Sequence, residues 1–227
     1  MLLISRLDTG ALVAVSRDGH QIAYSVPEGD SSSIWLVEAS ADPSTARVVC
    51  KSCGVPRLFS PDGRFLLYSP ERQSKVGNQK WTVRLLELAS GKHRPWLEHP
   101  TESVWADSFG DDGALLAVSV FPPGTTHESK HYLVPWRPEP VPAVEWLEAP
   151  VSSEQWEYSP STNFLYFPRN SKMMGMRFDP KTRTFGEPFD AKAAEWKPDN
   201  SWQIRGPGLV YARQETHASV WLMRLPD

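Results

Sequence analysis

The chain has 227 residues, with 24 Lys+Arg against 27 Asp+Glu, a net charge of −3 and 40% hydrophobic side chains. That is too apolar for a disordered chain, and too evenly charged to give the basic footprint of a nucleic-acid or anionic-membrane binder. Its 21 Pro leave little room for long helices, because proline costs about 3 kcal/mol inside one.

The apolar run at residues 11–15 is far short of the roughly 18 residues a membrane span needs, so no membrane insertion is expected. Residues 1–15 carry Asp8 within their apolar stretch and lack the basic-then-apolar layout of a signal peptide. The compartment stays open: periplasmic or extracellular if a leader has been trimmed, cytoplasmic otherwise.

One pattern recurs along the chain. Ser16-Arg17-Asp18-Gly19 leads into an apolar stretch ending at Tyr24. Ser60-Pro61-Asp62-Gly63 does the same before Tyr68, and Gly110-Asp111-Asp112-Gly113 before Val118. An eroded copy, Ser159-Pro160-Ser161-Thr162, precedes Phe167, and Gly206-Pro207-Gly208 precedes Tyr211. The spacing is roughly 44–50 residues, the period of four-stranded propeller blades. Pro, Asp and Gly in this order pre-form a tight turn between two strands. Each unit then predicts a third strand (Ser33-Ile34-Trp35-Leu36-Val37, residues 82–88, His131-Tyr132-Leu133-Val134, residues 174–178, residues 219–223). Fourth strands are predicted at residues 46–49, 94–97, 143–147 and 187–189, and one helical turn at 191–196.

The expected fold is therefore all-β, a single propeller domain of four-stranded antiparallel blades with strands A to D running outward. The blades fall at about 11–50, 54–97, 104–148, 154–190 and 198–227. Residues 2–7 supply the missing outer strand of the fifth and close the ring, which hides sheet edges. A fragment of a larger propeller is the alternative.

Ser60-Pro61-Asp62-Gly63 with Tyr68, followed by an aromatic-rich strand such as Ile34-Trp35-Leu36-Val37, resembles the TolB-type β-propeller repeat. The likeness covers nearly the whole chain and is strongest over residues 10–100. Such propellers occur as free-standing bacterial periplasmic proteins, as N-terminal domains of prolyl peptidases and as C-terminal sensor halves of larger chains. The resemblance implies a non-catalytic binding or scaffolding module, without naming the ligand.

Chemistry-bearing motifs have plain alternatives. His127-Glu128-Ser129-Lys130-His131 matches a zinc-protease motif that works only on a helix; here the repeat register puts residues 119–131 in a solvated loop. Cys50-Lys51-Ser52-Cys53 lacks the second pair of a zinc ribbon, so two thiols or a short disulfide are expected. Asp18, Asp62 and Asp112 read as turn formers. Most of the 10 Trp fall at repeat positions that pack blades together: Trp35 and Trp221, Trp96 and Trp146, and Trp202. No G-x-S-x-G elbow is present. We therefore expect no catalytic residue, no metal and no cofactor.

The site is sought where the repeats disagree. One strand-A position reads Val13, Arg57, Asp107, Trp156 and Asn200 through the units, a series no purely packing position would show. It lies at the end of strand A shared by the D–A and B–C loops, with Trp105, Arg72, Lys80 and His127 on the same rim. The expected ligand at this funnel is a protein or peptide partner, with a small polar or saccharide ligand second. A carbohydrate hydrolase or lyase would need two converging carboxylates, for which Asp107, Glu154, Glu157 and Asp199 are the candidates.

Overall fold

The computed structural model describes residues 12–40, 45–70, 80–110, 112–123, 129–151, 156–159 and 162–191, and by backbone residues 201–205 and 208–212. They build four sheets of four antiparallel strands and one further hairpin, with no α-helix among them. The first sheet holds β1 (Val13–Val15), β2 (Gln21–Glu28), β3 (Ser31–Glu38) and β4 (Arg47–Cys50). The second holds β5 (Val55–Phe59), β6 (Phe65–Ser69), β7 (Val83–Glu87) and β8 (His93–Leu97). The third holds β9 (Ser103–Phe109), β10 (Leu115–Phe121), β11 (Lys130–Pro135) and β12 (Leu147–Ala149). The fourth holds β13 (Glu157–Ser159), β14 (Phe164–Arg169), β15 (Lys172–Asp179) and β16 (Thr184–Asp190). Strands β17 (Ser201–Arg205) and β18 (Gly208–Ala212) pair as the hairpin. Every sheet is a meander in chain order, and the first strands of successive sheets adjoin one another: β1 meets β5, β5 meets β9, β9 meets β13 and β13 meets β17. This is the propeller arrangement that the sequence predicts, with strand A of each blade beside the next.

The repeat motif sets the A–B turns. In blade two, Gly63 N donates to Ser60 O (2.9 Å) and Ser60 N to Phe65 O (2.8 Å), while Asp62 Oδ1 accepts from Ser60 Oγ (2.6 Å) and Arg64 N (3.1 Å). Blade one repeats these bonds through Ser16, Asp18 and Gly19; blade three keeps the backbone pair and the bond from Ala114 N to Asp112 Oδ1, but Gly110 has no hydroxyl to add the fourth. Gly63 sits at φ 69°, in the left-handed region that glycine enters without strain. In the eroded fourth unit Asn163 takes a left-handed φ of 54°, which its short amide side chain tolerates. The recurrent aspartates are therefore turn formers.

The core lies between blades. Ala14, Ala23, Ile34 and Leu36 of blade one pack on Phe59, Leu66, Tyr68 and Leu86 of blade two. Leu67, Leu85 and Trp96 of blade two meet Val104, Leu116 and Val118 of blade three. Ala117, Leu133 and Ala149 of blade three meet Trp156, Tyr158, Leu165 and Phe178 near and in blade four. Trp136 fills the second of these interfaces, edge-on to Phe65, Trp96 and Phe109 at 5.0–6.2 Å. Trp96 and Trp146 are buried, as expected of inter-blade packing, and their indole N–H groups are bonded to backbone carbonyls.

Two expectations change and one is narrowed. Residues 143–147 do not form a strand: Ala143–Glu145 is a 3-10 turn, and β12 begins only at Leu147. Pro142 at its start has no N–H to give a ladder. Residues 119–131 are not one long solvated loop, because β10 runs on to Phe121 and β11 starts at Lys130. The cysteine pair forms the disulfide Cys50–Cys53, the second of the two expected states. The outer strand at 2–7, the third strand at 219–223 and the helical turn from residue 192 onward lie outside the described residues. No helix among the described residues is long and apolar enough to cross a membrane.

Candidate functional site

Two members of the variable strand-A series are bulge residues. In blade two Pro56 faces Tyr68 and Leu58 faces Leu67, which leaves Arg57 as an extra residue without a partner. In blade three Ala106 faces Val118 and Ser108 faces Ala117, which leaves Asp107 in the same condition. A bulge bends the strand and re-aims the extra side chain. The result is one pattern with two chemistries. Arg57 Nε donates to Ser69 Oγ (3.2 Å), and Asp107 Oδ2 accepts from Ser119 Oγ (2.7 Å). In each case the serine lies 12 residues on, in strand B of the same blade. In blade one the equivalent pair is Val13 and Ser25; valine offers nothing, and Ser25 Oγ accepts instead from Leu12 N (3.0 Å).

Arg57 lies over the ring of Trp105, with the guanidinium carbon 3.1 Å from the ring centroid, and 5.7 Å from that of Trp81. The two indoles are stacked at 4.8 Å. Nη2 of Arg57 is buried and has no hydrogen-bond partner. Burial pulls the guanidinium down to about 9, and the nearby Asp107 charge works against that shift. Cation–π contact with two tryptophans offsets part of this desolvation, but it leaves the Nη2 hydrogens unsatisfied.

Asp107 is the hub of a longer network. Its Oδ2 also accepts from Trp156 Nε1 (3.0 Å). Because the Ser119 hydroxyl hydrogen goes to the carboxylate, the 3.0 Å contact to His131 Nδ1 must have the imidazole as donor. His131 Nε2 is then the acceptor for Ser129 Oγ at 3.2 Å. One neutral tautomer thus satisfies the whole chain. Burial raises the Asp107 carboxyl to about 7, against the hydrogen bonds of Ser119 and Trp156 and the Arg57 charge. Burial lowers His131 to about 4, so the ring is neutral near pH 7.

This geometry re-sorts the expected site. Arg57, Asp107, Trp105 and Trp156 are brought together. Trp156, however, is only 3% exposed, and serves as a buried donor where a funnel wall was expected. Trp105 has its ring covered by Arg57 and packed against Trp81, so neither indole presents an open sugar platform. Lys80 Nζ is tied down by His99 O (2.5 Å) and Pro100 O (3.5 Å). Arg72, His127 and Asn200 lie outside the described residues, as do Glu154 and Asp199. His131, expected in a solvated loop, is fully buried in β11. Glu157 is buried in β13. No cluster of three or more His, Cys, Asp or Glu side chains fit to hold a metal occurs among the described residues.

Sequence reading missed Ser69, Ser119 and His131. The serines carried a signal, since Ser25, Ser69 and Ser119 recur at one strand-B position. His131 carried none, because the motif match drew attention to the wrong chemistry.

Neither family models nor curated proteins match the sequence. Similar solved structures do exist. TolB from Acinetobacter baumannii superposes with a TM-score of 0.57 at 19% identity, over 91% of this chain and 49% of that one. A putative TolB from Agrobacterium tumefaciens gives 0.53 at 20% identity, over 78% and 63%. Prolyl oligopeptidase B from Galerina marginata gives 0.56 at 14% identity, over 87% and 31%. The chain spans about half the length of the first of these. With its four sheets of four antiparallel strands and this likeness, the chain has a TolB-like β-propeller fold.

Proposed function

We propose that the chain is a binding propeller that docks a protein or peptide partner on the face where the D–A and B–C connections open, with Arg57 as the contact for an acidic group. The observation that carries this reading is the Arg57 guanidinium, which lies over Trp105 with Nη2 buried and unbonded. A buried cation without a carboxylate partner costs stability, and an incoming carboxylate supplies the missing acceptor. Aromatic and arginine side chains are also the usual energetic centres of protein interfaces. The TolB structures similar to this chain fit the same reading.

The test is a displayed peptide library panned against the folded protein. Enriched peptides should carry Asp, Glu or a free C-terminus. Arg57→Gln and Trp105→Ala should each weaken their binding at least about tenfold, a loss of about 1.4 kcal/mol. Unchanged binding in both folded variants would show that the partner docks elsewhere.

A further inference from the structure

We propose that Cys50–Cys53 is a thiol–disulfide exchange site, opened and closed in the folded protein by a dithiol partner. The two sulfurs have different surroundings. Cys50 ends β4 and is 4% exposed, whereas Cys53 lies in the connection to β5 and is part-exposed. Cys53 is therefore the sulfur that an attacking thiolate reaches. Cys50 is the one equipped to leave: its Sγ lies 3.8 Å from Nδ1 of His93, on the outer strand of the next blade. Tyr68 Oη lies 3.1 Å from the same nitrogen. Arg84 completes the group: it hydrogen-bonds Tyr68, its charge acts on both Tyr68 and His93, and its Nε is buried without a hydrogen-bond partner. Polar hydrogens and a positive charge beside a sulfur stabilise its thiolate, and a better-stabilised thiolate leaves faster.

The loop keeps its shape without the S–S bond. Cys53 N and Gly54 N both donate to Ser32 O (3.0 and 3.1 Å), and Ser52 N donates to Ser33 Oγ (3.0 Å). Reduction can thus proceed in the native state. One thiolate of the partner attacks Cys53 Sγ, the Cys50–Cys53 bond breaks, and its electron pair leaves on Cys50. The partner's second thiolate then attacks its own sulfur in the mixed disulfide and expels Cys53 as a thiolate. The partner ends as a disulfide, and its two protons end on Cys50 and Cys53. The reverse sequence re-forms the bond.

The experiment uses the full chain with dithiothreitol as the dithiol and a maleimide as the thiol reporter. Both cysteines should become labelled under native conditions with the near-UV circular dichroism unchanged; labelling that requires denaturant overturns the proposal. When glutathione, a monothiol, opens the bond under native conditions, the mixed disulfide trapped by acid quenching should sit on Cys53. A mixed disulfide found equally or mainly on Cys50 overturns the assignment of the attacked sulfur. In the reduced protein, His93→Ala should move the pH profile of Cys50 alkylation upward, and an unmoved profile removes His93 from the mechanism.

Discussion

Arg57 and Asp107 hold the same bulged position in adjacent blades and carry opposite charges, yet each is bonded to its own blade's serine, Ser69 or Ser119, with no ion pair between them. Opposite charges that act on each other across adjacent blades would ordinarily form an ion pair. Here the carboxylate oxygen Oδ2 is taken by Ser119 and Trp156, and the guanidinium keeps an unbonded nitrogen. That unspent capacity makes Arg57 the centre of the proposed site.

Replacing Arg57 separates binding from stability. Arg57→Met keeps the aliphatic stem over Trp105 and removes a buried, incompletely bonded charge. Its stability in a urea titration should stay within about 1 kcal/mol of the parent, while acidic-peptide binding is lost. A fall of more than about 2 kcal/mol would mark Arg57 as a structural residue.

The raised carboxyl of Asp107 has a definite sign in stability. Its folded value is about 7 against an ordinary 3.8, so between those limits the folded chain holds a proton that the unfolded chain has lost. Its contribution therefore falls as pH rises from about 4 to 7. The full shift sets an upper limit of about 4 kcal/mol on this change. Asp107→Asn keeps an acceptor for Ser119 and Trp156, and should flatten that part of the pH–stability curve. A variant curve parallel to the parent's refutes the raised value.

Ser119→Ala removes a group that both donates to Asp107 and accepts from His131. His131 Nδ1 loses its partner and Asp107 Oδ2 keeps only Trp156, at a cost of about 1–3 kcal/mol. Ser25→Ala, which loses one bond to Leu12 N, should cost less. Paired chemical denaturation curves decide the order.

Tyr68 is 3% exposed within the packing between blades one and two. Tyr68→Ala should cost about 3–5 kcal/mol and Tyr68→Phe, which keeps the ring and loses the hydroxyl's bonds to His93 and Arg84, about 1–2. Thermal unfolding that shows a loss below about 1 kcal/mol for the alanine variant would place Tyr68 outside the core.

Two turn glycines distinguish backbone cost from packing cost. A Cβ on Gly63 meets nothing within 4 Å, so Gly63→Ala should cost only the left-handed backbone term, about 1 kcal/mol. A Cβ on Gly113 overlaps Pro61 of the neighbouring blade's turn, so Gly113→Ala should cost more than about 2 kcal/mol. Equal losses in thermal melts would mean that the two turns do not touch.

The sequence by itself determined the repeat, the strand order and the A–B turns, because these rest on local chemistry. Pro61, Asp62 and Gly63 make the same turn wherever the chain places them, and the apolar run before Tyr68 needs no distant partner to read as a strand. It also exposed Arg57 and Asp107 as misfits in a packing series. The tertiary structure alone decided what those misfits do. A bulge is a mismatch between two strands, so no inspection of β5 or β9 alone reveals that Arg57 and Asp107 are the extra residues. The chain from Asp107 through Ser119 to His131, and the approach of Cys50 to His93, join residues from different strands or blades. Spacing along the chain shows only that the serines recur; strand pairing within blade three makes the first of these meetings, and packing of blade one against blade two makes the second.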